Sequence, residues 1–136
     1  MRNLLGLFSL LAVFALPAFA KEVQVYDCTF KNPRPFLSEK VILIEDPETG
    51  EFQVMDGIIH YEEGKPKTVK LSSDADNKFT LTWDIVIRDR NGQTAKLIYR
   101  FVYFKNNGKA NYSMFAASYE NRELSRGTCQ KAKQNV

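Results

Sequence analysis

Between Lys78 and Phe104 the chain alternates apolar and polar side chains with a period of two, and nothing else in it constrains the fold as much. Phe79, Leu81, Trp83, Ile85 and Ile87 interleave with Thr80, Thr82, Asp84, Val86 and Arg88. Successive side chains of a strand point to opposite faces, so the first set shares one face. Beyond Asn91-Gly92, the residues Ala95, Leu97, Tyr99, Phe101 and Tyr103 repeat the pattern. A two-residue loop would set Ile87 opposite Lys96 and Trp83 opposite Arg100. A three-residue loop, Arg90-Asn91-Gly92, sets Ile87 opposite Ala95, Ile85 opposite Leu97 and Trp83 opposite Tyr99. Burial selects the second register, because a slip of one residue turns the whole apolar set to solvent. Gly92 then takes the left-handed position of a bulged turn.

The same reading along the chain gives candidate strands at 22–30, 39–45, 51–55, 57–62, 67–72, 78–88, 94–104, 110–118 and 123–130. Asp46-Pro47-Glu48-Thr49-Gly50, Glu63-Gly64-Lys65-Pro66, Ser73-Asp74-Ala75-Asp76-Asn77, Asn91-Gly92 and Asn106-Asn107-Gly108 are turns by composition. Lys31 to Ser38, with Pro33 and Pro35, is an irregular connector, and a short helix fits 118–124. The expected fold is all-β: one antiparallel barrel or barrel-like sandwich of about eight strands over 21–130, followed by a polar tail at 131–136.

Residues 1–20 have the order of a cleaved export signal. Arg2 precedes an apolar run from Leu4 to Leu16, Pro17 lies near its end, and Ala18-Phe19-Ala20 is a small-x-small cleavage site. The run is too short for a comfortable membrane span, and no second one follows. The mature chain is thus expected without a membrane span, in the periplasm or secreted, where cysteines oxidise. Its two cysteines allow one intramolecular pairing, Cys28–Cys129, which would join the first strand to the last. Closing a loop of that length stabilises by up to about 4.7 kcal/mol in the chain-entropy model.

Charge is segregated along the chain. Residues 21–63 carry four basic and ten acidic side chains, whereas residues 64–136 carry fourteen basic and six acidic. Neighbouring early and late strands could compensate one another across a closed sheet. Otherwise the basic half forms a surface for an anionic partner such as lipid head groups, a cell-wall polymer or an acidic cleft. The outward face of the 78–104 hairpin sharpens the question. Val86, Ile98, Val102 and Phe104 share it with Arg88, Lys96 and Arg100, so either the chain covers this face or a partner does. Residues 39–45 are likewise apolar on both faces. The expected partner-binding residues are Arg88, Lys96, Ile98 and Arg100, with the basic loops contributing Lys65, Lys67, Lys105 and Lys109. A protein, a cell-wall polymer or a small ligand fits this surface. A mature net charge of +2 argues against nucleic acid. Trp83, Tyr99 and Phe101, on the inward face, could instead line a small-molecule pocket in a barrel interior.

Catalytic patterns are weak. His60 is the sole histidine and lies in a strand-like run, Ile58-Ile59-His60-Tyr61. No serine sits in a Gly-x-Ser-x-Gly elbow, and one histidine with two distant cysteines makes no zinc site. Glu45, Asp46, Glu48 and Glu51 crowd one turn but lack EF-hand spacing. Asn111-Tyr112-Ser113 fits a glycosylation acceptor, relevant only to a eukaryotic secretory host. No catalytic residue, metal or cofactor is expected, and the chain reads as a non-enzymatic binding module.

Tyr26-Asp27-Cys28, Asp56-Gly57-Ile58-Ile59, Trp83 through Gln93, Tyr99 to Tyr103 and Arg126-Gly127-Thr128-Cys129 resemble stretches of a group of short exported alphaproteobacterial proteins. That resemblance implies a periplasmic β-protein and no activity. In size, export and end-placed cysteines the chain is also similar to periplasmic inhibitors of c-type lysozyme, small β-barrels that insert loops into an acidic cleft. It lacks their recognisable Ser-Gly and Lys-Gly loop elements, so no inhibitory residue is carried over.

Overall fold

Each strand pairs antiparallel with the next, and the last returns to the first, so the sheet closes into an eight-stranded barrel. The computed structural model describes residues 21–117, 120 and 122–136; the expected export signal, residues 1–20, lies outside them. The strands are β1 (Glu22–Phe30), β2 (Lys40–Glu45), β3 (Phe52–Asp56), β4 (Lys67–Asp74), β5 (Lys78–Arg88), β6 (Thr94–Phe104), β7 (Lys109–Ala116) and β8 (Arg122–Asn135). One helix, α1 (Gly57–Glu63), joins β3 to β4. Closure settles barrel against sandwich. It also removes the unpaired sheet edges that an open meander would present.

The β5–β6 register is the one burial selects, with Ile87 opposite Ala95, Ile85 opposite Leu97 and Trp83 opposite Tyr99. Asp89 shapes its loop, accepting hydrogen bonds from the backbone N–H groups of Asn91 and Gln93, both at 2.9 Å. Gly92 has φ +79°, a conformation that costs residues with a Cβ. Closure of the barrel brings Cys28 opposite Cys129 on β1 and β8, and the two form a disulfide.

Three segments differ from the sequence expectation. Residues 57–62, expected as a strand, form α1, so His60 is an exposed helical residue. Asp56 caps the helix by accepting from the Ile59 N–H at 2.8 Å, and Gly64 ends it in the left-handed conformation at φ 70°. An N-cap three residues before a buried isoleucine and a stop glycine outweigh the strand propensity of Ile58-Ile59. Residues 131–136 were expected as a polar tail, but β8 runs through them to Asn135 and pairs with β1 as far as Glu22. The helix expected at 118–124 falls partly outside the described residues, and Arg122–Leu124 begin β8.

The barrel is filled. Tyr99, Tyr112, Phe30 and Phe101 are wholly buried, and Trp83 stacks on Tyr99 with ring centroids 5.4 Å apart and planes 6° apart. Opposite these rings the inner face of β8 is small: Ser125, Gly127 and Cys129 alternate there. A Cβ at Gly127 would overlap the Thr29 carbonyl oxygen and lie 2.7 Å from Phe30 Cδ1. Aromatic bulk on β5–β7 is therefore accommodated by small residues on β8.

One end of the barrel is plugged by the 31–39 connector and α1. The Tyr99 hydroxyl donates to the Phe36 carbonyl at 2.9 Å, and Leu37 is 1% exposed. The Tyr112 hydroxyl donates to the buried Asp56 carboxylate. Burial raises the Asp56 pKa despite the opposing hydrogen bonds from Ile59 and Tyr112, and raises that of Tyr112 as well. The other end, between the β2–β3, β4–β5 and β6–β7 turns, forms the mouth.

Candidate functional site

Strand pairing assembles the outer wall of β5–β8 row by row. Asp84, Ile98, Phe115 and Arg122 form one row across the four strands. Thr82, Arg100, Ser113 and Leu124 form the next, and Thr80, Val102, Asn111 and Arg126 the third. Val86 faces Lys96, and Arg88 faces Thr94, toward the β5–β6 turn. Val86 is 59% exposed, Leu124 45% and Phe115 38%, whereas Val102 is buried at 6%. Apolar side chains on this wall are thus partly buried by their neighbours and partly left to solvent.

The wall is also strongly basic. Among the described residues its rows and their continuation present Lys78, Arg88, Lys96, Arg100, Lys109, Arg122 and Arg126 against one carboxylate, Asp84. Asp84 pairs with Lys96 at 3.1 Å, and both side chains are 53% exposed. The Arg122 guanidinium carbon lies 5.6 Å from the Phe115 ring centroid, so this cation stacks on the exposed ring.

The outer face of β1–β3 is different. There Asp27 and Lys40 pair at 3.0 Å among Val25, Ile42, Ile44, Gln53 and Met55. The cation surplus of the later half of the sequence is concentrated in space because β5–β8 are consecutive around the barrel. Around the sheet the acidic and basic halves adjoin at the β1–β8 and β3–β4 seams, where Lys133 lies 3.7 Å from Glu22 and Lys67, at the start of β4, lies 2.9 Å from Glu63 at the end of α1.

Of the residues singled out from sequence, Arg88, Lys96, Ile98, Arg100 and Lys109 come together on this wall. Lys65 and Lys67 lie beside the end of α1, and Lys67 is bound to Glu63. Lys105 is at the mouth, donating to Asp74 at 2.7 Å and to the Ala75 carbonyl at 2.8 Å. Trp83, Tyr99 and Phe101 pack against one another's neighbours in the core: Phe101 meets Phe30 and Tyr112, and Tyr112 stacks on Tyr99 and Trp83. Among the described residues the Trp83 indole N–H is buried without an acceptor. The wall adds Phe115, Arg122, Leu124 and Arg126. Carrying the period-two reading through β7 and β8 in register with β6 would have found them.

A second feature lies at the mouth. A depression of about 340 Å³ is lined by Tyr26, Phe52, Phe79, Leu71 and Tyr103, with Glu45, Asp74, Lys105 and Lys131 at its rim. The rings themselves are 3–5% exposed, and the Lys131 ammonium covers Tyr26 at 5.5 Å from its centroid. Burial, with Glu45 nearby, pushes the Tyr26 hydroxyl pKa up, so it stays protonated through the neutral range. No grouping of three or more metal-ligating side chains occurs among the described residues, and none of their helices is long and apolar enough to cross a membrane. Comparison with protein-family models, curated proteins and solved structures found no match to this chain.

Proposed function

We propose that this chain is a non-enzymatic binding module, exported to the periplasm or beyond, that docks an anionic partner on the outer wall of β5–β8. One observation carries the reading: among the described residues, seven cations and one carboxylate share a continuous sheet face with exposed Val86, Phe115 and Leu124. Surface charge this one-sided steers an anionic partner toward the wall, and the apolar groups supply contact once it arrives. The disulfide between β1 and β8 suits an oxidising compartment. The test is binding of the exported protein to anionic probes of different classes, at low and high salt, beside Ile98→Glu and Arg100→Glu. Loss of binding in both variants, with folding retained, is the expected result. Variants that bind every probe as the parent does would end this reading.

The mouth supports a second reading, a small-molecule carrier, because its 340 Å³ depression combines an apolar floor with convergent charged groups. Native mass spectrometry of the unreduced protein, taken from its host's exported fraction, tests it. Excess mass that disappears on denaturation favours the carrier; a bare chain mass removes it. A cell-wall clearing assay with c-type lysozyme tests the inhibitor alternative directly.

A further inference from the structure

Resting on the reading of the β5–β8 wall as a docking surface, we infer that its partner is the anionic surface of a lipid bilayer. The wall's charge rules out pairing with a second copy through the same face, since like charges would be brought together. It requires an anionic partner, and the apolar groups then discriminate among anions. A phosphate polymer or nucleic acid uses cations but gains little from Val86, Phe115 and Leu124, which are 59%, 38% and 45% exposed. Each of these has a cation beside it. Lys96 lies across from Val86, Arg122 lies across from Phe115 and stacks on its ring, and Leu124 lies between Arg122 and Arg126 on its own strand.

Alternation of apolar tips and cations on one face matches the boundary between lipid headgroups and acyl chains. The tip enters the acyl margin while the guanidinium or ammonium stays with the phosphates. The shape of the wall agrees. It is the convex outside of a closed barrel, so a rigid protein would need a matching concavity, whereas a bilayer deforms around projecting side chains.

Co-sedimentation of the exported protein with phosphatidylcholine vesicles, with and without phosphatidylglycerol, tests the inference. Soluble polyglutamate and a DNA duplex serve as comparison probes, and circular dichroism checks the fold of each variant. The protein should sediment with phosphatidylglycerol vesicles and not with pure phosphatidylcholine. Replacing Arg100 and Arg122 together by Gln should weaken vesicle binding roughly 30-fold, the loss expected for two cations at an anionic leaflet. Phe115→Ser with Leu124→Ser should weaken vesicle binding several-fold while leaving binding to polyglutamate unchanged. No sedimentation at low salt, vesicle binding indifferent to these substitutions, or tighter binding to duplex than to vesicles overturns the bilayer inference. Should polyglutamate bind through Arg100 and Arg122 while vesicles do not, the bilayer is wrong and the docking wall stands. Should no anionic probe bind, both fail.

Discussion

The inner and outer faces of β5–β8 belong to the same four strands, yet they obey different rules. On the inner face of β6, Leu97, Tyr99, Phe101 and Tyr103 are each 5% exposed or less, and their rings pack against partners from across the barrel. One residue away, Lys96, Ile98 and Arg100 face outward among a surplus of cations. A position in this sheet therefore serves either closure of the barrel or contact with a partner, and a single step along the chain separates the two. Substitutions on the inner face should change stability with little direct effect on binding, and those on the outer face should do the reverse.

The largest expected effect tests the inner face. Tyr99→Ala removes the stack on Trp83, opens a cavity and releases the hydrogen bond to Phe36 that holds the plug. Truncating a buried aromatic costs about 3–5 kcal/mol, read as a drop in the denaturant midpoint. Vesicle affinity per folded molecule should not change. A Tyr99→Ala protein of parental stability would show that the core is not packed as described. Gly127→Ala should cost less, about 1–3 kcal/mol of overpacking, because β8 must move away from Thr29 and Phe30. A gain in stability there would contradict the close approach of β1 and β8.

The contrast between faces also explains what could be read from the sequence. Strict alternation in β5 and β6 specified a register, because only one pairing buries Trp83 and Tyr99 together. The disulfide followed from there being one possible pair. Residues 131–136 read as a polar tail because the end of β8 is exposed on both sides, so pairing with β1 holds it without any apolar alternation: Lys131 lies at the rim of the mouth and the Lys133 side chain is 74% exposed beside Glu22. The helix was missed because Ile58-Ile59 favours a strand locally, while the deciding cap, Asp56, acts through a buried site completed by Tyr112 on β7. Half of the basic wall was visible in the β5–β6 hairpin. Of the rest, Lys109 was legible as a basic loop and Phe115 follows from the alternation of β7, whereas Arg122, Leu124 and Arg126 lie on β8, whose inward residues are small or polar and so mark its faces only once β8 is set in register with β7.

Asp56 gives a prediction of direction. Burial raises its pKa above the ordinary 3.8, so the folded state holds a proton that the unfolded chain has already released. Its contribution to stability is therefore greatest at low pH. That contribution falls as pH rises from about the ordinary carboxylate value through the raised one, and is constant above it. Asn can keep the cap through its Oδ1 without carrying charge, and its amide N–H2 then donates to the Tyr112 hydroxyl oxygen. Denaturant midpoints measured across the acidic range should lose this component in Asp56→Asn, leaving the remaining carboxylates to set the slope. Identical pH profiles for parent and variant would mean that Asp56 is not desolvated in the folded protein.

The smallest stability effect is expected outside, and it is the sharpest test of the difference between faces. Leu124 is 45% exposed and lies in register with Ser113, one row from Phe115 and Arg122. Leu124→Ser removes apolar area that folding has only partly taken from water, so the denaturant midpoint should move by no more than about 0.5 kcal/mol equivalent. Arg100→Glu should move it equally little, because the described ion pairs leave Arg100 without a carboxylate partner. Both substitutions should nevertheless weaken vesicle binding, the charge reversal most at low salt and the serine still at high salt, where screening leaves mainly the apolar contact. A large loss of stability in either variant would mean that the outer wall helps to hold the barrel closed, and the division of labour between its two faces would have to be abandoned.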